Sequence, residues 1–145
     1  MRRYITMGAR ILLGLIFTLT GLNGFFNFMP AMAGMPEGAM NFMGALAATG
    51  YFFPLLKTFE LVSGILLLFG RYVPLALLFL APITLNILAF HLFLAPSGLP
   101  VAVLVVGLTI LNGYLHFDAY RPLFATDQEI EEVHELLVHH RPHAV

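Results

Sequence analysis

Cysteine is absent from this 145-residue chain, and charge is scarce, at 10% of residues against roughly 25% in ordinary soluble domains. Without cysteine there are no disulfide staples, thiolate nucleophiles, Cys-ligated zinc or iron–sulfur clusters, and no thiol relay, so a redox role would have to be indirect. The shortage of charge accompanies 59% hydrophobic residues and a mean hydropathy of +0.88, which is a membrane composition. Positive charge is not in excess either: the formal net charge is -1 and the arginines are scattered, which excludes nucleic acid as a partner. At about 20 residues per bilayer crossing, the chain holds no more than about four or five spans, with no room for a large catalytic domain.

The apolar runs divide into four spans. Residues 11–36 carry no charge, and their leading part, ILLGLIFTLTGLNGFFNF, is long enough to cross the hydrocarbon core. That run exceeds a signal-peptide core and lacks a clean A-x-A site, although Ala31-Met32-Ala33 comes close, so it is expected to stay as a helix. Between Arg71 and Asp118 no Asp, Glu, Lys or Arg occurs, and Pro96-Ser97-Gly98-Leu99-Pro100 breaks the stretch in two. The segment YFFPLLKTFELVSGILLLFG supplies the remaining span. The expected fold is therefore an all-α membrane protein, a four-helix transmembrane bundle with spans at about 9–28, 51–69, 72–95 and 99–118.

The arginines fall at one set of span ends, Arg2, Arg3 and Arg10, then Arg71, then Arg121 and Arg141, so the positive-inside rule places both termini in the cytoplasm. The opposite loop carries Pro36-Glu37 and then Met40, Met43, Leu46 and Ala47 at helical spacing, which predicts a short outer helix at about 37–48. Its unbranched Met side chains suit a lid, with Met40 and Met43 facing the bundle mouth. After the transmembrane domain of residues 1–122, the capping box Thr126-x-x-Glu129 and the apolar face Ile130, Val133, Leu136 and Leu137 predict an amphipathic cytoplasmic helix within 123–145.

Chemistry inside the membrane is confined to few residues. Lys57 and Glu60 are opposite charges three residues apart in the second span, which predicts an inward-facing ion pair. Counted from the span's outer end, Glu60 lies about 13.5 Å deep in a core about 30 Å thick. Asn23, Asn86 and Asn112 fall by the same count in or near that layer, with His91 nearer the outer rim, so these six residues form the candidate ligand site. The Asn residues are equally readable as interhelical hydrogen bonds, and His91 and His116 as satisfied histidines. No Glu-x-x-His pattern of a di-iron bundle is present. Met29-x-x-Met32-x-x-Met35 offers soft thioethers without Cys or an outer-loop His beside them, and His139-His140-Arg141 sit where a helix dipole favours them, so no metal is assigned. Gly14, Gly21 and Gly64 are expected at close-packed helix contacts, and Pro54 and Pro82 at helix starts or kinks.

ARILLGLIF, the following GLN, and KTFELVSGILLLFGRYVPLALLFLAPITLNI together resemble the DoxX family of small four-helix membrane proteins. The resemblance covers Arg10 to about Arg121 and is most specific from Glu60 to Leu80. It carries over Glu60, then Gly64, Gly70 and Arg71 as packing and turn positions, but no catalytic set. It implies a bacterial cytoplasmic-membrane protein, in a group that includes a subunit of an archaeal thiosulfate:quinone oxidoreductase and proteins linked to quinone or oxidative stress. The expected function is a subunit or binding component, not catalytic on its own, that requires no cofactor and holds a quinone or lipid near Lys57 and Glu60, beside other membrane subunits or a second copy. The rival expectations are a proton-coupled or small-solute transporter and a structural scaffold.

Overall fold

A computed structural model describes residues 2–30 and 34–124. Its elements are α1 (Arg2–Phe26), α2 (Glu37–Ala48), α3 (Phe52–Phe69), α4 (Val73–Phe93) and α5 (Leu99–Leu115), with 3-10 turns at Pro96–Gly98 and Phe117–Phe124. Four stretches, Arg3–Phe26, Phe52–Phe69, Val73–Phe93 and Pro96–Leu115, are long and apolar enough to cross a membrane. The amphipathic helix expected within 123–145 lies outside the described residues apart from the end of the last 3-10 turn.

The helices form a ring in the order α1, α3, α4, α5, which closes where α5 returns to α1. Neighbours run antiparallel, as the short α3–α4 and α4–α5 connections require. The core holds Leu13 and Phe17 of α1, Leu67 of α3, Ala76, Leu77 and Leu80 of α4, and Val105 of α5. Only 22 to 28% of each span is buried within the chain, so most of its apolar surface is left to face lipid or other proteins.

Local chemistry sets the helix ends. α1 begins at Arg2, earlier than the expected residue 9, and stops at Phe26 because Asn27 takes a left-handed φ of 49°. α3 ends at Gly70, whose φ of 67° needs a residue without a Cβ. The amides of Gly70 and Arg71 then donate to the Leu67 and Leu66 carbonyls, a Schellman cap. α5 stops at Leu115, short of the expected 118, where the Asn112 carbonyl accepts both the His116 amide at 3.1 Å and the His116 ring Nδ1 at 2.8 Å.

α1 and α3 share the most extensive contact of the bundle. Arg10, Gly14, Phe17, Gly21 and Gly24 follow the alternating four-and-three spacing of a coiled-coil seam. A Cβ on Gly64 would lie 2.5 Å from the Thr18 amide nitrogen, and one on Gly21 2.7 Å from that of Leu61, so the two backbones touch. At the Arg71 end of this seam the Arg10 guanidinium donates to the Leu67 carbonyl at 2.8 Å, a second donor on the carbonyl that already accepts the Gly70 amide.

Candidate functional site

At the other end of the bundle the same four helices diverge around a cavity of about 580 Å³. α1 contributes Ile16, Phe17 and Thr20, and α3 contributes Phe52, Phe53, Leu56, Lys57 and Glu60. Pro82, Ile83, Asn86, Ile87, Phe90 and His91 line it from α4, and Val101 and Val105 from α5. Met35 and the α2 residues Phe42, Met43 and Leu46 close the remaining side. A volume of this size suits a small organic molecule, and aromatic walls with a few polar groups are what such sites are built from.

The polar centre is the Lys57–Glu60 pair, with Nζ and Oε2 2.8 Å apart. The Glu60 side chain is 4% exposed and that of Lys57 23%, so the carboxylate is enclosed while the ammonium has access to the cavity. Their spacing on α3 sets them on one face, and α1 shapes the approach. A Cβ on Gly24 would overlap Lys57 Cβ, Cγ and Cδ, so Gly24 is the groove in which the lysine stem lies. A lysine ammonium has three donors. One is used on Glu60, and no other acceptor for it is found among the described residues.

His91 stands at the rim, its ring against Gly98, where a Cβ would clash with it. Nδ1 lies 2.9 Å from the Ala95 carbonyl. A carbonyl can only accept, so Nδ1 donates in this contact. Asn86 lines the cavity one turn deeper and is exposed.

The single polar layer expected from the sequence is not what forms. Lys57, Glu60, Asn86 and His91 come together, but Asn23 and Asn112 do not join them. Asn23 lies in the last turn of α1, where its Oδ1 accepts the Met29 amide at 2.6 Å and holds the chain reversal. Asn112 is fully buried one turn from the far end of α5, and its Nδ2 donates to the Leu108 carbonyl at 2.8 Å. The reason is direction: α5 runs away from the cavity, and three residues before its end is only about 4.5 Å from that end. Its Oδ1, like Ser63 Oγ and Thr18 Oγ1, is a buried oxygen without a partner.

The two methionines of the expected lid also separate. Met43 lines the cavity while Met40, at the edge of the same face of α2, is 54% exposed and does not line it. The face is fixed by buried Ala39 and by Phe42, whose ring centroid lies 6.0 Å from that of Phe90 on α4. Reading the sequence missed Phe42, Phe90 and Gly24. The first two could have been sought among phenylalanines one helical face apart from Met43 and His91, and Gly24 from its place three residues after Gly21.

Four antiparallel spans around an internal chamber define a multi-pass helical membrane protein. The sequence model of one family, described as DoxX, matches residues 5–95, and the chain belongs to that family. The matched stretch runs from α1 to just past α4 and contains every cavity-lining residue except Val101 and Val105. No curated protein and no solved structure matches the chain.

Proposed function

We propose that this protein binds an amphipathic small molecule, a quinone or a lipid, in the chamber beside Lys57 and Glu60, as a non-catalytic component of a membrane redox or oxidative-stress system. The observation that carries this reading is a buried ion pair opening onto an aromatic cavity of about 580 Å³. A pair of this kind adds little to stability over apolar residues of similar volume, so its retention points to use. The two unspent donors of Lys57 suit a carbonyl or other neutral acceptor, and the phenylalanine walls suit an apolar ring or chain. α2 is the lid of this chamber through Phe42, Met43 and Leu46.

The orientation follows from charge. Arg10 lies against the Leu67 carbonyl at the end of α3, Arg71 follows that end, and Arg121 follows α5 there; by the positive-inside rule this supports a cytoplasmic position for this end, with the chamber opening to the other side of a bacterial inner membrane. The largely exposed spans are the surface for lipid and for partner subunits or a second copy.

Mass spectrometry of protein extracted in mild detergent tests the reading. Co-purified quinone or lipid should fall at least tenfold in Glu60→Gln and Lys57→Met. Equal ligand content in the wild type and both variants overturns it.

A further inference from the structure

The cavity has a second way out. A groove of about 270 Å³ runs along the outer surface between α3 and α4, with Leu55 and Phe59 on one bank and Leu78 and Phe79 on the other. Its remaining residues, Phe52, Leu56, Pro82 and Ile83, also line the chamber, so a wall one side chain thick divides the two. Nothing polar fastens that wall: among the described residues no hydrogen bond or ion pair joins α3 to α4 along this stretch. Pro82 supplies no N–H to the Leu78 carbonyl, which weakens α4 at this level. The chamber's α2 end is covered by the Phe42–Phe90 contact and by Met43 and Leu46, whereas across the seam the ring contact of Phe59 and Phe79, 5.2 Å apart, lies below a helix weakened at Pro82.

We infer that the α3–α4 seam is the portal through which the ligand passes directly from the bilayer, and that the outer groove holds its hydrocarbon tail while a neutral, carbonyl-bearing ring rests at Lys57. This rests on the ligand site proposed above and specifies its occupant. The groove extends from Phe52 to Phe59, about 10 Å along the helix, at hydrocarbon depth, where an isoprenoid or acyl tail is already dissolved. Charge selects the head. Among the described residues Lys57 and Glu60 are the only formally charged ones lining the chamber, and they cancel at 2.8 Å. A phosphate head group would enter as an uncompensated anion in an apolar space, which is costly, whereas a quinone ring brings only carbonyl acceptors. The occupant is therefore a long-tailed quinone and not a phospholipid.

The test measures binding in lipid nanodiscs, with every probe compared at equal mole fraction in the bilayer. The probes are a tail-less benzoquinone, the same ring bearing one, two and eight isoprene units, and phosphatidylglycerol as competitor. The wild type should bind the eight-unit quinone at least tenfold more tightly than the tail-less ring. Leu55→Trp, which fills the outer groove from a position that does not line the chamber, should bring the long-tailed quinone down to the level of the tail-less ring and leave the latter unchanged. Lys57→Met should weaken both alike. Because the chain lacks cysteine, Phe59→Cys with Phe79→Cys can be joined by a reducible crosslinker as a second measurement that does not depend on a bulky side chain packing. Stapling should slow exchange of the long-tailed quinone at least tenfold, and reduction should restore it. Tail-independent binding in the wild type, equal loss of both probes in Leu55→Trp, or unchanged exchange after stapling overturns the portal while leaving the head site standing, and displacement by phosphatidylglycerol overturns the selection of a neutral head. Failure of every quinone to bind overturns the head site and the portal together.

Discussion

The two edges of α3 are built from opposite materials. Toward α1 it presents Gly64 against the Thr18 backbone, and α1 answers with Gly14, Gly21 and Gly24, so main chains meet and Arg10 fastens the end by a charged hydrogen bond. Toward α4 it presents Phe52, Leu56 and Phe59, which meet Pro82, Ile83 and Phe79 across side chains alone; the Phe59 and Phe79 rings are 5.2 Å apart. Lipid is as apolar as leucine, so helix pairs in a bilayer gain mainly from close packing and internal hydrogen bonds. An edge with both is a fixed joint, and an edge with neither can yield. α3 and α4 are held together by the short turn through Gly70 and by the packing of Leu67 with Ala76, Leu77 and Leu80, and the chamber lies toward their other end.

The largest effect should come from filling the fixed edge. Gly64→Leu places a side chain where the Thr18 amide already stands 2.5 Å from an added Cβ, and this should cost at least about 3 kcal/mol of stability by overpacking, read as loss of the folded form in detergent unfolding titrations. Gly107→Ala, inside α5 with nothing within 4 Å of an added Cβ, is the control and should leave stability unchanged or raise it by up to about 1 kcal/mol. If the two behave alike, α1 and α3 are not in backbone contact and the comparison fails.

Next is the pair that lies between the edges. Lys57→Met leaves the Glu60 carboxylate 4% exposed without its partner, and breaking a buried pair in this way should cost about 3 kcal/mol. Lys57→Met combined with Glu60→Leu should recover most of that, to within about 1 kcal/mol of the wild type, while ligand binding stays lost. Full stability of Lys57→Met alone would mean that the pair is not desolvated. A smaller effect belongs to the joint's far end: Arg10→Gln gives up a charge-assisted hydrogen bond to the Leu67 carbonyl and should cost about 1.5 kcal/mol, measured by the same titration.

Much of this was readable without coordinates, for a physical reason. The bilayer demands long charge-free runs, so spans, their number and the resemblance to DoxX lay open in composition and breakers such as Pro96-Ser97-Gly98. The Lys57–Glu60 pair was equally plain, because two opposite charges at helical spacing inside an apolar run have few alternatives. What stayed hidden depends on axial register between helices. Depth counting along each helix put Asn112 near Glu60, but α5 carries it to the opposite end, and only packing shows that Asn23 turns to the Met29 amide. The facing of α2 was hidden as well, since Met40 and Met43 are both compatible with a mouth-facing stripe until Ala39 and Phe42 fix the rotation.

The smallest effect concerns how α4 is held at its start, where the seam with α3 must stay closed if opening is confined to the other end. Tyr120, in the 3-10 turn after α5, donates its hydroxyl to the Pro74 carbonyl at 3.0 Å and so ties α5 to the first turn of α4. Tyr120→Phe should cost about 1 kcal/mol or less. Burial raises the Tyr120 hydroxyl above its ordinary value of 10.0, because the charged phenolate is poorly solvated there. The folded state therefore favours the protonated form, and the contribution is complete below about pH 10, then lost as pH rises through the higher folded value. Tyr4, Tyr51, Tyr72 and Tyr114 are all at least 65% exposed and have no such burial. The stability difference between wild type and Tyr120→Phe should then be constant from pH 7 to 9 and shrink above about 10. A difference that stays flat across that range would show that the Tyr120 hydroxyl is not desolvated in the folded protein, whereas no difference at any pH would show that it does not tie α5 to the start of α4.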